Sequence, residues 1–256
     1  MSPIEIHQFP CLQDNYGYLV HDREVNVTAA IDTPDAAAIV AALETRGWTL
    51  THILNTHHHA DHAGGNLELK RLTGCRIVGP RADAARIPGI DVEVGDGDAF
   101  ELGSHAIEVL DTPGHTRGHI VYFFPQDDVA FVGDTLFSLG CGRLFEGTPA
   151  QMWSSLTKIM SWPERTRLYC AHEYTQSNGR FAVTVEPGNR ALAERVAEVA
   201  RLRAAGKPTV PSTLALEKAT NPFLRPASRD LRETIGLVGA SDVEVFAKTR
   251  ALKDAF

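Results

Sequence analysis

The run Thr56-His57-His58-His59-Ala60-Asp61-His62 places three imidazoles and a carboxylate at H-x-H-x-D-H spacing, directly after the apolar segment His52 to Leu54. Neutral imidazole and carboxylate are the natural ligands of zinc and its first-row neighbours, so this cluster ties the fold to a metal centre. Single candidate ligands follow in small-residue loops: His115 in Thr112-Pro113-Gly114-His115-Thr116, Asp134 in Val132-Gly133-Asp134-Thr135, and His172 in Cys170-Ala171-His172-Glu173. Each comes after a short apolar stretch that reads as a strand, Ile107 to Leu110, Val129 to Val132 and Leu168 to Cys170. Candidate ligands therefore lie at successive strand ends.

All eleven histidines lie at or before His172, although 84 residues follow it. Not all of them are ligands. In an extended backbone His58 points away from its neighbours, and His7, His21, His52 and His105 belong to no pattern and read as solvent-facing or hydrogen-bonded. His119, four residues after His115, is expected to support a ligand rather than to be one.

A length of 256 residues with 43% hydrophobic and 22% charged residues suits one large core, or a core with a small second domain. No apolar run approaches the roughly 18 to 20 residues that a membrane helix needs, and Met1 to Leu12 has no signal-peptide pattern, so a cytoplasmic protein is expected. Cys11, Cys75, Cys141 and Cys170 are far apart without a CxxC pair, which suggests neither a disulfide framework nor a thiolate zinc site. The net charge of −7 argues against a nucleic-acid partner and is unevenly spread. Residues 1–172 carry 12 Lys and Arg against 22 Asp and Glu, a balance of −10, whereas residues 173–256 carry 13 against 10, a balance of +3. A slightly basic tail on an acidic catalytic part offers cationic contacts to a small anionic substrate, or simply a solvated helical surface.

The chain changes character near the same boundary. Up to Cys170, β-rich runs such as Tyr16 to Val20, Val25 to Ile31, His52 to Leu54 and Val121 to Phe124 are punctuated by Gly, Pro and Asp. Thr33-Pro34-Asp35 predicts a helix start with Thr33 as cap, and Ile39, Val40 and Leu43 form an apolar stripe that ends at Gly47. Alternation of this kind implies a layered α/β architecture. After His172 strand signals stop. Leu192, Val196, Val199 and Arg203 keep helical spacing up to Gly206, and Ser241-x-x-Glu244 is a capping box for a final helix through Phe246 and Leu252.

In order and spacing, His57, His59, Asp61, His62, His115, Asp134 and His172 resemble the ligand motifs of the metallo-β-lactamase superfamily. Within it, the chain resembles the hydroxyacylglutathione hydrolases, or glyoxalase II enzymes. The narrower likeness rests on Asp14-Asn15-Tyr16, the run from Thr56 to Asn66, Gly140-Cys141-Gly142-Arg143, His172-Glu173-Tyr174-Thr175, Thr220 to Arg225, and Arg250-x-x-Lys253-Asp254. These motifs span the chain, and the C-terminal ones discriminate between superfamily members.

The resemblance implies an α+β fold, a four-layer αββα sandwich over residues 1–172, followed by a small all-helical, substrate-binding domain over residues 173–256. It also implies two divalent metal ions. One would be held by His57, His59 and His115, the other by Asp61, His62 and His172, with Asp134 bridging and Asp61 and Asp134 counted as catalytic. Nitrogen and oxygen donors without thiolate suit zinc, and iron or manganese would also be accepted. The activity implied is hydrolysis of S-2-hydroxyacylglutathione, for example S-D-lactoylglutathione, to glutathione and a 2-hydroxy acid, the second step of methylglyoxal detoxification.

The residues agree with that chemistry. There is no G-x-S-x-G elbow and no cysteine in a nucleophile–base motif, so water is the nucleophile, here a hydroxide bridging the metals. A thiol of pKa about 8.5 leaves without a strong general acid. By the same resemblance Arg143, Tyr174, Arg250 and Lys253 contact glutathione, with Arg250 and Lys253 on one helix face. The family's loop after Gly142 commonly carries Lys and, two residues on, Tyr. Arg143 keeps that charge, whereas Phe145 lacks the hydroxyl, and weaker glutathione binding is expected. The alternatives are a phosphodiesterase or lactonase of the same superfamily, or an iron-dependent sulfur or oxygen oxidoreductase. A phosphodiesterase would normally bring a nucleic-acid-binding arm, and this chain has no basic block. The expected working form is a monomer.

Overall fold

A computed structural model describes residues 2–256, and its backbone divides into two compact units. The first comprises residues up to Asp111 together with Arg117–Gly133; the second comprises Thr112–Thr116 and Asp134–Phe256.

The first unit holds two sheets. Strands β1 (Glu5–Cys11), β2 (Asn15–Asp22) and β3 (Val27–Ile31) pair antiparallel, and β4 (His52–Leu54), β5 (Arg76–Pro80) and β6 (Val92–Val94) then extend the same sheet parallel to β3. Register aligns Leu19, Ala30, Ile53 and Ile77 in one cross-strand row. Because side chains alternate between faces, this row points to one side, where Ile39 and Leu43 of helix α1 (Ala36–Arg46) pack on it. The adjacent row of Tyr18, Ile31, Leu54 and Val78 points to the other side, and Tyr18 meets Phe131 edge-on at 5.5 Å. Phe131 belongs to the second sheet, a meander of β7 (Ala99–Leu102), β8 (His105–Asp111), β9 (Ile120–Phe124) and β10 (Val129–Gly133). Every residue of β9 and β10 is buried. Between β4 and β5 lie two short helices, α2 (Ala60–Ala63) and α3 (Asn66–Thr73), whose Leu69 joins the α1 core.

Two local expectations are corrected. Helix α1 is capped by Asp35, which accepts from the Ala38 N–H at 3.1 Å, and not by Thr33. The Thr33 hydroxyl donates instead to Asn66 Oδ1 at 2.7 Å, so its side chain serves the ligand loop. Val25 lies in an exposed turn before β3, because Asn26 turns the chain with a left-handed φ of 54°.

The second unit begins with a two-residue hairpin, β11 (Leu136–Phe137) and β12 (Gly140–Cys141), followed by helix α4 (Pro149–Met160) behind a Thr148–Gln151 capping box. Strand β13 (Arg167–Cys170) pairs with β14 (Ser212–Thr213), a short strand that the helical reading of the tail had not anticipated. The tail otherwise consists of α5 (Thr175–Val185), α6 (Arg190–Ala204), α7 (Leu214–Thr220), α8 (Arg229–Thr234) and α9 (Asp242–Asp254). The Ser241–Glu244 capping box opens α9 as expected. An aromatic chain unites the unit: Phe223 contacts Phe181 of α5 and Phe246 of α9, each at 6.1 Å, and Phe246 contacts Trp153 of α4 at 6.0 Å. Through Trp153, α4 shares a core with the tail although it precedes residue 173. Among the described residues no helix is long and apolar enough to cross a membrane.

Candidate metal centre

In the first unit the candidate ligand run begins where β4 ends and turns into α2. His57 is fully buried, and its ring nitrogens lie 3.1 Å from the Thr56 hydroxyl and 3.0 Å from His59 Nδ1. The His57 and His62 rings are 4.0 Å apart. His62 Nδ1 lies 2.8 Å from Asp32 Oδ2, and Asp32 also accepts from the Thr56 N–H at 2.7 Å and the Thr56 hydroxyl at 2.8 Å. A carboxylate can only accept, so in a neutral ring Nδ1 carries the proton and Nε2 presents a lone pair. That lone pair faces Asp61 Oδ2 at 3.6 Å, and Asn15 donates to the same oxygen at 3.2 Å.

In the second unit Asp134 stands between two histidines. Its Oδ2 is 3.4 Å from His115 Nε2 and its Oδ1 is 3.4 Å from His172 Nε2. His115 Nδ1 lies 2.9 Å from the Arg143 carbonyl, which fixes the Nδ1–H tautomer and turns the Nε2 lone pair to the carboxylate. The loop around His115 rests on α4: Ser155 donates to the Pro113 carbonyl at 2.8 Å, and Gly147 N–H to the Gly114 carbonyl at 3.0 Å.

These separations test the fit of a cation. An N–H···O bond measures about 2.7–3.2 Å, and two lone pairs facing each other repel. Two ligand atoms each about 2.0–2.2 Å from a tetrahedral zinc are held roughly 3.4 Å apart. The nitrogen–oxygen edges of 3.4, 3.4 and 3.6 Å match the second geometry, so Asp134 with His115 and His172, and Asp61 with His62, fit divalent cations, whereas His57 and His59 stand at hydrogen-bond distance.

Each of the remaining histidines has a partner. His58 is engaged by Asp83 at 3.2 Å and Arg86 at 3.1 Å, while His119 is fully buried and stacks on His57 at 4.8 Å. His21 bonds Thr28, His52 bonds Thr51, His105 bonds Asp127, and His7 stacks on Phe9.

The four expected substrate residues all lie in the second unit. Tyr174 stacks flat on His172, at 4.7 Å and 2° between planes. The Arg143 side chain is exposed, with Nε 3.9 Å from Asp254. Arg250 is buried; it donates to the Cys141 carbonyl at 2.8 Å, pairs with Asp254 at 2.9 Å and lies over the Phe223 ring. Lys253 sits between the Phe181 and Phe256 rings with Nζ 3.5 Å from the Ser177 carbonyl. Burial, followed by the charges of Arg250, Arg180 and Arg143, lowers its pKa below the usual lysine value. Phe145 is exposed, and its ring lies 5.2 Å from that of His115.

The metallo-β-lactamase superfamily model matches residues 30–172, and the model described as hydroxyacylglutathione hydrolase C-terminus matches residues 173–256. The chain is 56% identical over 256 residues to the hydroxyacylglutathione hydrolase of Maricaulis maris, with complete coverage of both chains. It belongs to the hydroxyacylglutathione hydrolase family. The enzyme of that name from Methylococcus capsulatus is 56% identical over 253 residues and 99% of each chain. Among solved structures, ETHE1 from Myxococcus xanthus aligns with a TM-score of 0.67 at 26% identity, over 98% of this chain and 100% of that one. The fold is the metallo-β-lactamase fold.

Reading the motifs for ligands missed the residues that orient them in this hydroxyacylglutathione hydrolase family member. Asp32 holds His62 and Thr56 together, and its left-handed φ of 57°, uncommon for a residue other than glycine, aims the carboxylate at both. Its only signal in the sequence was a carboxylate directly after an apolar strand. Asn55 donates to the His62 carbonyl at 2.8 Å, and Asn66 donates to Asn55 at 2.7 Å. All four cysteines are buried, and burial raises the pKa of each thiol. Burial pushes Cys141 up to about 11 and Cys11 and Cys170 up to about 12, which keeps all three protonated near neutral pH.

Proposed function

We propose that this protein hydrolyses S-2-hydroxyacylglutathione thioesters, of which S-D-lactoylglutathione is the example, to glutathione and a 2-hydroxy acid, using two divalent metal ions. In this reading His57, His59 and His115 hold one cation, Asp61, His62 and His172 hold the other, and Asp134 is shared. The observation that carries it is the Asp134 carboxylate, whose two oxygens each face a different histidine Nε2 at 3.4 Å. Family membership and the complete set of seven donors support the same assignment. The donor set favours zinc, with iron or manganese accepted.

When bound, paired cations supply Lewis-acid charge and bring the pKa of water from about 15.7 towards 7. The protein's own groups prepare the site for that chemistry. Asp32 and the Arg143 carbonyl fix the tautomers of His62 and His115, and Asn15 holds Asp61. Arg143, Arg250 and Lys253 supply positive charge for the carboxylates of glutathione, and Tyr174 offers an aromatic face and a hydroxyl beside His172. The departing thiol has an ordinary pKa of about 8.5, so no acidic side chain is needed at the sulfur. Four buried cysteines, none in a disulfide among the described residues, suit a cytoplasmic enzyme, and we assign a monomer as the working form.

Elemental analysis combined with turnover tests this reading. Two metals per chain and rapid hydrolysis of S-D-lactoylglutathione, with bis(4-nitrophenyl) phosphate left nearly untouched, are the expected results. A preference for the phosphodiester, or full activity with one metal, would overturn it.

A further inference from the structure

The hairpin turn that follows Asp134 is held almost entirely by side chains from the helical tail. Asn221 Nδ2 donates to the Phe137 carbonyl at 3.1 Å and the Gly140 carbonyl at 3.0 Å. Asn178 of α5 donates to the Ser138 carbonyl at 3.1 Å, and Arg195 of α6 donates to the Ser138 hydroxyl at 2.8 Å. Glu217 of α7 accepts the Leu139 N–H at 3.0 Å, and Arg250 of α9 takes the Cys141 carbonyl at 2.8 Å. Every residue from Phe137 to Cys141 is thus caught by a polar side chain, and all five of those side chains are buried. They also brace one another. Glu217 accepts from Asn221 at 3.0 Å and pairs with Arg195, which in turn donates to Thr220 at 2.6 Å.

Such a network exceeds what a two-residue hairpin needs for its own stability. The turn is in a conformation that side chains disfavour, since Leu139 is fully buried at a φ of 60°. Its two legs lead to the metal ligands. One starts at Leu136, two residues after Asp134; the other runs from Cys141 through Gly142 to Arg143, whose carbonyl sets the His115 tautomer. The legs are locked together beside the ligand: Gly142 N–H donates to the Thr135 carbonyl at 3.3 Å, and a Cβ on Gly142 would overlap the Asp134 carbonyl oxygen.

We propose that Asn178, Arg195, Glu217, Asn221 and Arg250 form a clamp on residues 137–141 that positions Asp134 and the Arg143 carbonyl, so that the helical tail governs metal retention as well as substrate contact. In this role they are positioning residues: none lies within hydrogen-bond reach of a ligand side chain, and each acts through the hairpin, Arg195 on the Ser138 hydroxyl and the other four on its backbone. A main-chain shift of the hairpin would move a carboxylate that must face two histidines at once, and metal sites respond to small displacements of their supports. The inference rests on the dinuclear reading of the site.

The test uses Asn221→Asp, which keeps shape but removes both donors, and the milder Asn178→Ala, with Glu186→Gln as the control. Glu186 is a buried carboxylate of the same tail that bonds Arg225 and Ser228 and does not touch the hairpin. Both clamp variants are expected to lose metal to a chelator at least about tenfold faster than wild type and to shift the visible bands of the cobalt-substituted enzyme, with KM within about twofold. The control is expected to lose melting temperature and to keep wild-type metal release. Hydrogen exchange adds a readout that needs no variant, because Leu139 N–H should stay protected in the metal-free protein. Wild-type metal release in both clamp variants, equal acceleration in the control, or rapid Leu139 exchange in the metal-free protein would each overturn the proposal. Wild-type protein with fewer than two metals would instead refute the reading of the site itself.

Discussion

The candidate ligands of the first unit and those of the second are supported by different means. His57, His59, Asp61 and His62 fall within six residues, and their supports are local: Thr56 from the same loop, Asp32 from the end of the neighbouring strand, and Asn15 at the start of β2. His115, Asp134 and His172 are spread over 58 residues. Their loops rest on α4 and on a hairpin that five side chains of the tail hold in place. A contiguous motif can be oriented by the sheet that presents it, whereas a dispersed one needs a second set of elements to bring its parts into register. Damage should therefore spread differently in the two halves.

The strongest way to break the comparison is Asp134→Ala. Removing the carboxylate that faces both His115 and His172, proposed as the shared ligand, should lower both metal occupancy and kcat, the latter by roughly 10³-fold, equivalent to about 4 kcal/mol of lost transition-state stabilisation. Elemental analysis alongside steady-state kinetics checks it; a variant that keeps two metals and wild-type kcat would remove Asp134 from the centre.

The corresponding change in the first unit is Asp32→Asn, which leaves the His62 ring in place without its carboxylate. About 10- to 100-fold weaker metal binding is expected, measured by chelator competition, because a support and not a ligand is lost. If it proved as severe as Asp134→Ala, the distinction between ligand and support would fail.

At the proposed substrate contacts, Lys253→Ala should raise KM roughly 10- to 100-fold and leave kcat within a few-fold, as expected for a lost charge-assisted contact. Arg250→Ala should do more, because its guanidinium also satisfies the Cys141 carbonyl. A thermal melt should show about 1–3 kcal/mol of lost stability together with the KM defect. Equal melting temperatures for the two variants would place Arg250 outside the clamp.

The smallest expected effect is one of pH. The folded-state pKa of Lys253 lies below the ordinary lysine value, chiefly through burial, so its charge is full at low pH and is lost earlier than usual as pH rises. KM should climb on the alkaline side at a lower pH in wild type than in Lys253→Arg, whose guanidinium stays charged. Parallel KM profiles would show that Lys253 does not carry the substrate's countercharge.

Periodicity and turn chemistry were enough to identify α1, α6 and α9, the strands that precede each ligand loop, and the capping box at Ser241. They failed where a side chain was recruited away from its local task. Thr33 looks like a cap and bonds Asn66 instead, and Val25 continues an apolar run that Asn26 interrupts. The short strand β14 carries no alternation to read, since its two residues are specified by pairing with β13.

The sequence alone determined the chemistry of the donors, because imidazole and carboxylate at short fixed spacing have few other uses and their identity does not depend on the fold. It also determined the apolar patterning that builds the sheets and the polar caps that start the helices. Only the tertiary structure decided which groups orient those donors. The left-handed Asp32, the carbonyl of Arg143 and the grip of α5, α6, α7 and α9 on residues 137–141 are relations between segments far apart in the chain. A hydrogen bond to a backbone carbonyl leaves no mark on the residue that accepts it, so such supports appear only once the chain has folded.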